Sequence, residues 1–416
     1  MPGLIANFLL SIALTAAAQP SSTSTAAALP TTTPAGPGLR LVAEADLPRF
    51  EESFKARSGL IKAAKKAVRY LESLPPGKTL RVGDRDYGPA AFIDSAKAMI
   101  AVASQAKTAD ELDRRVRETF DVYQSAGLDG QGRVVFSAYY QPLLPASLKK
   151  APGYPYPLYK RPPDMVEVDL SSFDKKLTNG DSLVLGRLGK DKRVTPYFSR
   201  AEIDRRKALA GKGLEIVWLK DRFDALNLHI QGSGILKFAN GKEVLAKYAA
   251  TNAATYHSVG LVLVKAGVFT RDEITHDKLR DYLRKNPDAE GWILSQNPRY
   301  TFFELAPLPE DGEPFGAAEQ SLVPARSIAI DPSVVPLGAL TFFTTVSPQA
   351  DRDGRLLGMF PSSRFAFGLD TGGAIKSPGR VDIYAGHGPQ AETTARGQWA
   401  DGKLFVLVKK LPARER

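Results

Sequence analysis

Two runs near the C-terminus alternate apolar and polar residues with period two, and a glycine-rich loop separates them. In the first, Phe365, Phe367 and Leu369 alternate with Ala366, Gly368 and Asp370. After Gly372, Gly373, Pro378 and Gly379, Val381, Ile383 and Ala385 alternate with Arg380, Asp382 and Tyr384. The pattern predicts two half-buried strands. Each places one carboxylate opposite its large apolar residues. The small neighbours of Asp370 leave room for something to lie over it. A turn-forming role accounts for Asp370. It accounts poorly for Asp382, because aspartate is depleted within strands unless a site needs it.

Elsewhere, three- and four-residue apolar spacing predicts helices over 47–74, 90–104 and 108–124. The first stops at Leu74-Pro-Pro-Gly77, and the third opens on a Thr-Ala-Asp-Glu cap. A strand is predicted over 133–140. From Gln141 the texture changes to a proline- and tyrosine-rich connection, then short strands: an Asn179-Gly180 turn leading into 183–185, then 214–218 and 226–231. A short helix is predicted over 201–209 and another over 278–285, while 247–254 and 258–265 fit either period. Strands return at 326–330, 340–346, 364–370, 381–385 and 403–409. This organisation reads as mainly β with N-terminal helices (α+β). It divides into a first part of one domain over 39–142, an inserted β domain over 143–309, and a second part of the first domain over 310–416.

The composition, 43% hydrophobic and 24% charged, is that of an ordinary globular protein. Residues 4–18 have the length of a signal-peptide apolar region and end in Ala16-Ala-Ala18, a site for cleavage after Ala18, although no basic residue precedes them. Residues 19–38 are Ser/Thr/Ala/Pro-rich linker. The chain has no cysteine, which excludes disulfides, thiol catalysis and lipid attachment through cysteine. A net charge of +11 favours an anionic partner. The lysines at 62–66 read as the solvated face of a helix, not a nucleic-acid patch, and no nucleic-acid partner is expected.

Among reaction classes, the four histidines show no zinc-site spacing. His229 reads as a strand residue and His276 as a solvated one. There is no Walker loop, dinucleotide fingerprint or nucleophile elbow. No metal or cofactor is expected. Three aspartates in one β-rich module, Asp331, Asp370 and Asp382, suggest glycoside chemistry instead. An ordinary aspartic acid, with pKa near 3.9, is only about 0.1% protonated at neutral pH. A role as general acid therefore requires apolar surroundings or a neighbouring carboxylate. Ser137-Ala-Tyr-Tyr-Gln-Pro142 places aromatic and amide groups at the domain junction, suited to sugar rings, and Gln231-Gly-Ser-Gly234 reads as a hairpin or ligand-contacting loop.

With Asn297-Pro-Arg-Tyr-Thr-Phe-Phe303, Ile328-Ala-Ile-Asp-Pro-Ser-Val-Val-Pro-Leu-Gly338 and Leu369-Asp-Thr-Gly-Gly-Ala-Ile-Lys376, these segments resemble, in this order, the membrane-bound lytic transglycosylase A family of peptidoglycan-cleaving enzymes. The resemblance spans 39–411. It implies a double-psi β-barrel with a second β domain inserted and a groove between them for the glycan. It implies Asp382 as catalytic acid and then base, with Asp370 and Asp331 in supporting roles. It also implies glycan contacts from Tyr139, Gln141, Gln231, Gly232, Ser233, Thr371 and Lys376. The expected product carries a 1,6-anhydro-muramoyl end. Peptidoglycan strands are the expected partner, with other cell-wall enzymes a further class, in the periplasm and with room for peripheral outer-membrane association. Two features depart from the family: Arg380-Val381 precede Asp382 where some relatives carry an aromatic residue or histidine, and there is no cysteine to lipidate. A hydrolase on the same barrel and a noncatalytic, expansin-like wall-binding protein remain as alternatives.

Overall fold

The computed structural model describes residues 38–52, 57–173, 183–271 and 273–411. The expected signal peptide, most of the linker and the Asn179-Gly180 turn lie outside them. Six strands form a closed ring: Val134–Gln141, Arg380–His387, Ser327–Ala329, Leu356–Asp370, Leu340–Ala350 and Trp399–Lys409, the last pairing back onto the first. Two neighbouring pairs are parallel, Ser327–Ala329 with Leu356–Asp370 and Arg380–His387 with Val134–Gln141. This is the closed six-stranded barrel expected of the double-psi class, and a ring without edges removes the exposed backbone of an open sheet.

Alternation along each strand sorts the side chains. Phe136, Ile328, Phe343, Ala366, Val381 and Val406 fill the interior. Phe342, Phe365, Phe367 and Leu407 point outward, where Leu60, Ala63 and Ala67 of the helix Arg57–Glu72 and Ala96, Met99 and Ala103 of the helix Pro89–Gln105 cover them. Gly402 sits where the last strand leaves Val134 and turns toward Phe120–Ser125. A β-carbon there would be driven into the Thr344 carbonyl oxygen and the Phe136 ring, so closure requires glycine.

The second sheet is built from the intervening chain in the order Thr301–Ala306, Glu243–Thr251, Gly234–Lys237, Leu143–Ser147, Glu215–Leu219 and Tyr156–Tyr159. The segment 226–231, expected as a strand, is instead the end of the helix Arg222–Gln231. Asp221 caps it by accepting from the Phe223 and Asp224 amides, and Gly232 ends it at φ 81°. That cap outweighs the β-like composition. The helix expected over 108–124 stops at Thr119, because Phe120–Ser125 pairs into the barrel sheet. The helix expected from 47 is absent over 47–52 and is described over Arg57–Glu72; Leu47, held extended before Pro48, cannot open it. Of the ambiguous segments, Glu243–Thr251 is a strand and Val259–Lys265 a helix.

Lys66 is not solvated as expected; its ammonium is buried and lies 2.8 Å from Asp311. His229 is on the helix, buried, with Nδ1 2.9 Å from the Arg200 guanidinium. His276 packs against Phe223 at 4.7 Å rather than lying in solvent, and burial lowers its pKa to about 4. Among the described residues, no helix is long and apolar enough to cross a membrane.

Candidate active site

Asp382 lies on the strand Arg380–His387, directly opposite Ser137 on one side and Ala329 on the other. Since Val381 and Ile383 point into the barrel, Asp382 points out of it. Its Oδ1 is buried and makes no hydrogen bond with the protein. Burial pushes its pKa up to about 6; the Ser137 hydroxyl and the Arg380 guanidinium pull it down, and the Asp370 carboxylate raises it further. Desolvation dominates, as expected for a carboxyl with a single stabilising donor.

Asp370 ends its strand close by and is solvated differently by the protein. Its Oδ2 accepts the Tyr139 hydroxyl at 2.6 Å, and its Oδ1 accepts the Ala317 and Thr371 amides at 3.0 and 2.9 Å. Burial raises its pKa, and these three donors oppose that. Of the two carboxyls, Asp370 therefore has the environment that stabilises a negative charge. Asp382 has the environment that holds a proton.

The Tyr139 ring lies 5.3 Å from that of Tyr384, whose hydroxyl donates to the buried Glu313; Glu313 in turn lies 3.5 Å from His387 Nδ1. Arg380 donates to Ser137 Oγ at 2.9 Å and lies over the Trp399 ring, 4.7 Å from its centre. Trp399 is opposite Ser137, so Asp382, Ser137 and Trp399 form one row across three adjacent strands. Trp399 is 61% exposed near Asp382, with Arg380 over one face of its ring.

The other expected site residues divide. Asp331 uses its carboxylate to accept from Ser333 and from the Ser377 amide at 2.7 Å, fixing the end of the glycine loop. Tyr139 is spent on Asp370 rather than offered as a stacking surface. Gln141, expected to contact glycan, is 1% exposed with neither amide atom hydrogen-bonded; its side chain is enclosed and presents no surface. Gln231 uses its carbonyl on the Tyr140 amide at 3.1 Å and its amide nitrogen on Asn227, tying the second sheet's helix to the barrel strand. Gly232 and Ser233 are half-exposed, and Thr371 and Lys376 are exposed on the loop. Arg299, from the second β unit, lies against Gly373, where any side chain would collide with its guanidinium.

Sequence reasoning missed Glu313, Tyr384 and Trp399 as site neighbours, and offered Ser137 only as the start of a glycan-contacting segment, not as the neighbour of Asp382. The period-two pattern placed Tyr384 beside Asp382, but nothing in the order of residues reports the parallel pairing with 134–141. No group of three or more carboxylates and histidines suited to a metal occurs among the described residues.

The MltA specific insert domain model matches residues 135–304, and the 3D domain model matches residues 326–408. Over 290 residues the chain is 30% identical to membrane-bound lytic murein transglycosylase A of Escherichia coli K12, covering 69% of each protein. This chain belongs to the membrane-bound lytic murein transglycosylase A family. The Vibrio cholerae member is likewise 30% identical over 287 residues, 68% of each. Among solved structures, the membrane-bound lytic murein transglycosylase of Agrobacterium tumefaciens superposes with TM-score 0.71 at 24% identity, covering 91% of this chain and 99% of that one. E. coli MltA with bound chitohexaose gives 0.67 at 22%, covering 91% and 98%. Neisseria gonorrhoeae MltA gives 0.65 at 25%, covering 91% and 94%. The fold of this family member is therefore the fold of those enzymes.

Proposed function

We propose that this protein is an exported lytic transglycosylase that cleaves the β-1,4 bond between N-acetylmuramic acid and N-acetylglucosamine in peptidoglycan, with Asp382 as its single acid–base. The observation that carries the reading is the contrast between the two carboxyls: Asp382 has an unpartnered, buried Oδ1 and a pKa near 6, beside a triply hydrogen-bonded Asp370. Protonated Asp382 donates to the glycosidic oxygen as the bond to muramoyl C1 breaks. The muramoyl C6 hydroxyl attacks C1, and its proton passes to the Asp382 carboxylate, restoring the acid and closing the 1,6-anhydro ring. No water is consumed. Because the nucleophile belongs to the reacting sugar, ring closure gains the effective concentration of an intramolecular reaction.

Asp370 supports the acid by like-charge repulsion, and Tyr139 and Asp331 hold the surrounding loop and strand. Thr371, Lys376, Gly232 and Ser233 are the proposed glycan contacts, joined by the exposed edge and uncovered face of Trp399. The periplasm is the compartment in which this substrate lies, and the relatives' membrane-bound names suit peripheral association with the outer membrane.

Mass spectrometry of digested peptidoglycan tests the reaction: anhydro-muramoyl ends are expected. Reducing ends would assign a hydrolase, and undigested wall with bound protein would assign a binding module.

The pH profile tests the acid. Since Asp382 must be protonated to donate, kcat/KM should fall as pH rises through about 6. Tyr139→Phe removes a donor from Asp370, makes its charge harder to hold and so weakens the repulsion on Asp382; the falling limb should move to lower pH. An unmoved limb would remove Tyr139 and Asp370 from the acid's support.

A further inference from the structure

We propose that the end of the inserted sheet remote in sequence from the aspartates is a docking surface for an anionic lipid membrane. This proposal does not depend on the reaction proposed above. An open cleft of about 720 Å³ lies between the hairpin 147–154, the turn 238–244 and the segment 305–308. Its walls are aliphatic and aromatic, from Leu148, Phe238, Val244, Leu305, Pro307 and Leu308, and Leu148 is 62% exposed at its mouth.

Three of the polar groups within the cleft are already engaged. Ser147 Oγ donates to the Lys149 carbonyl at 2.8 Å, Asn240 Oδ1 accepts the Lys242 amide at 3.0 Å, and Glu243 lies 3.4 Å from Lys237. A sugar ring entering here would lose its hydration with few hydrogen bonds in return, whereas a hydrocarbon chain would lose none. Lys242 lines the cleft, Lys149 and Lys150 follow Leu148 in the chain, and Lys220 lies over the lining Tyr154; all four are exposed, and none is in an ion pair among the described residues. The Lys150 and Lys220 ammoniums lie 5.7 and 5.2 Å over the Trp218 and Tyr154 rings. One face of each of those rings is thus occupied by the protein's own cation. An apolar mouth with unpaired lysines beside it matches the boundary between lipid phosphates and acyl chains.

The test is flotation of the full chain with vesicles of phosphatidylglycerol and phosphatidylethanolamine, against vesicles of phosphatidylcholine, at physiological salt. Two variants are compared with the parent: Leu148→Asp, and Lys149→Glu combined with Lys150→Glu and Lys220→Glu. The parent should float with the anionic vesicles only. Each variant should partition about tenfold or more weakly, since each lysine near an anionic surface contributes on the order of a fivefold change. Both should digest peptidoglycan at the parental rate, because no altered residue lies at the acid. Variants that float like the parent would overturn the proposal by placing the lipid contact elsewhere. A parent that ignores anionic vesicles would overturn it outright. Loss of binding to isolated wall with vesicle binding unchanged would reassign the surface to a wall polymer and overturn it too.

Discussion

Asp382→Asn should reduce peptidoglycan cleavage by about 10²- to 10⁴-fold, the range supplied by one positioned acid–base, while binding to isolated wall persists. The same substitution should raise, or at least preserve, stability at alkaline pH. In the parent, the folded pKa of about 6 lies above the ordinary aspartate value, so folding favours the protonated form. The contribution of this one group is fully present below about pH 4 and is lost as pH rises through about 6, where the buried carboxyl becomes ionised; a two-unit shift corresponds to about 3 kcal/mol. Asparagine keeps the shape and never carries the charge. Cleavage rates and thermal midpoints at pH 8 together check the assignment: an active variant, or a midpoint several degrees below the parent's, would remove Asp382 from the role of strained acid.

Arg326→Ala should destabilise the fold by about 3–5 kcal/mol, the cost of stranding the partner of a buried ion pair. Arg326 and Glu52 are only 2% and 4% exposed and meet through two contacts of 2.6 and 2.8 Å. Each is also tied to the barrel: Arg326 donates to the Phe365 carbonyl at 2.7 Å, and Glu52 accepts the Phe365 amide at 2.8 Å. The pair thereby fastens the segment ahead of the first helix to the strand that leads to Asp370. Urea unfolding of Arg326→Ala, and of Arg326→Met combined with Glu52→Gln, separates the contributions. The double variant leaves no unpaired charge and should recover a large part of the loss. A single variant costing under about 1 kcal/mol would show that the pair does not hold the two segments together.

The two strands bearing Asp370 and Asp382 were legible because period-two alternation is a local property. What surrounds Asp382 was not, because Ser137 reaches it through parallel pairing across more than two hundred residues. The same reason explains Gln141 and Tyr139. Residue type suggested sugar contacts, while the tertiary fold encloses one and commits the other to Asp370. The helix Arg222–Gln231 was misread from its alternating apolar residues, although Asp221, a capping residue at the right place, stood in the sequence. Lys66 shows the opposite limit: a lysine in a cluster looks solvated until a carboxylate 245 positions away closes over it.

The last strand of the ring also fixes when the site can be assembled. Ser137, Asp382 and Trp399 sit side by side, yet the first is synthesised long before the other two, and Trp399–Gly402 must pair with Val134–Ser137 before the ring exists. A nascent or prematurely released chain therefore carries the early wall of the site without its acid or its closing strand. Asp382 and Ser137 can therefore be built into a closed ring only once residues 399–402 are present to pair with 134–137.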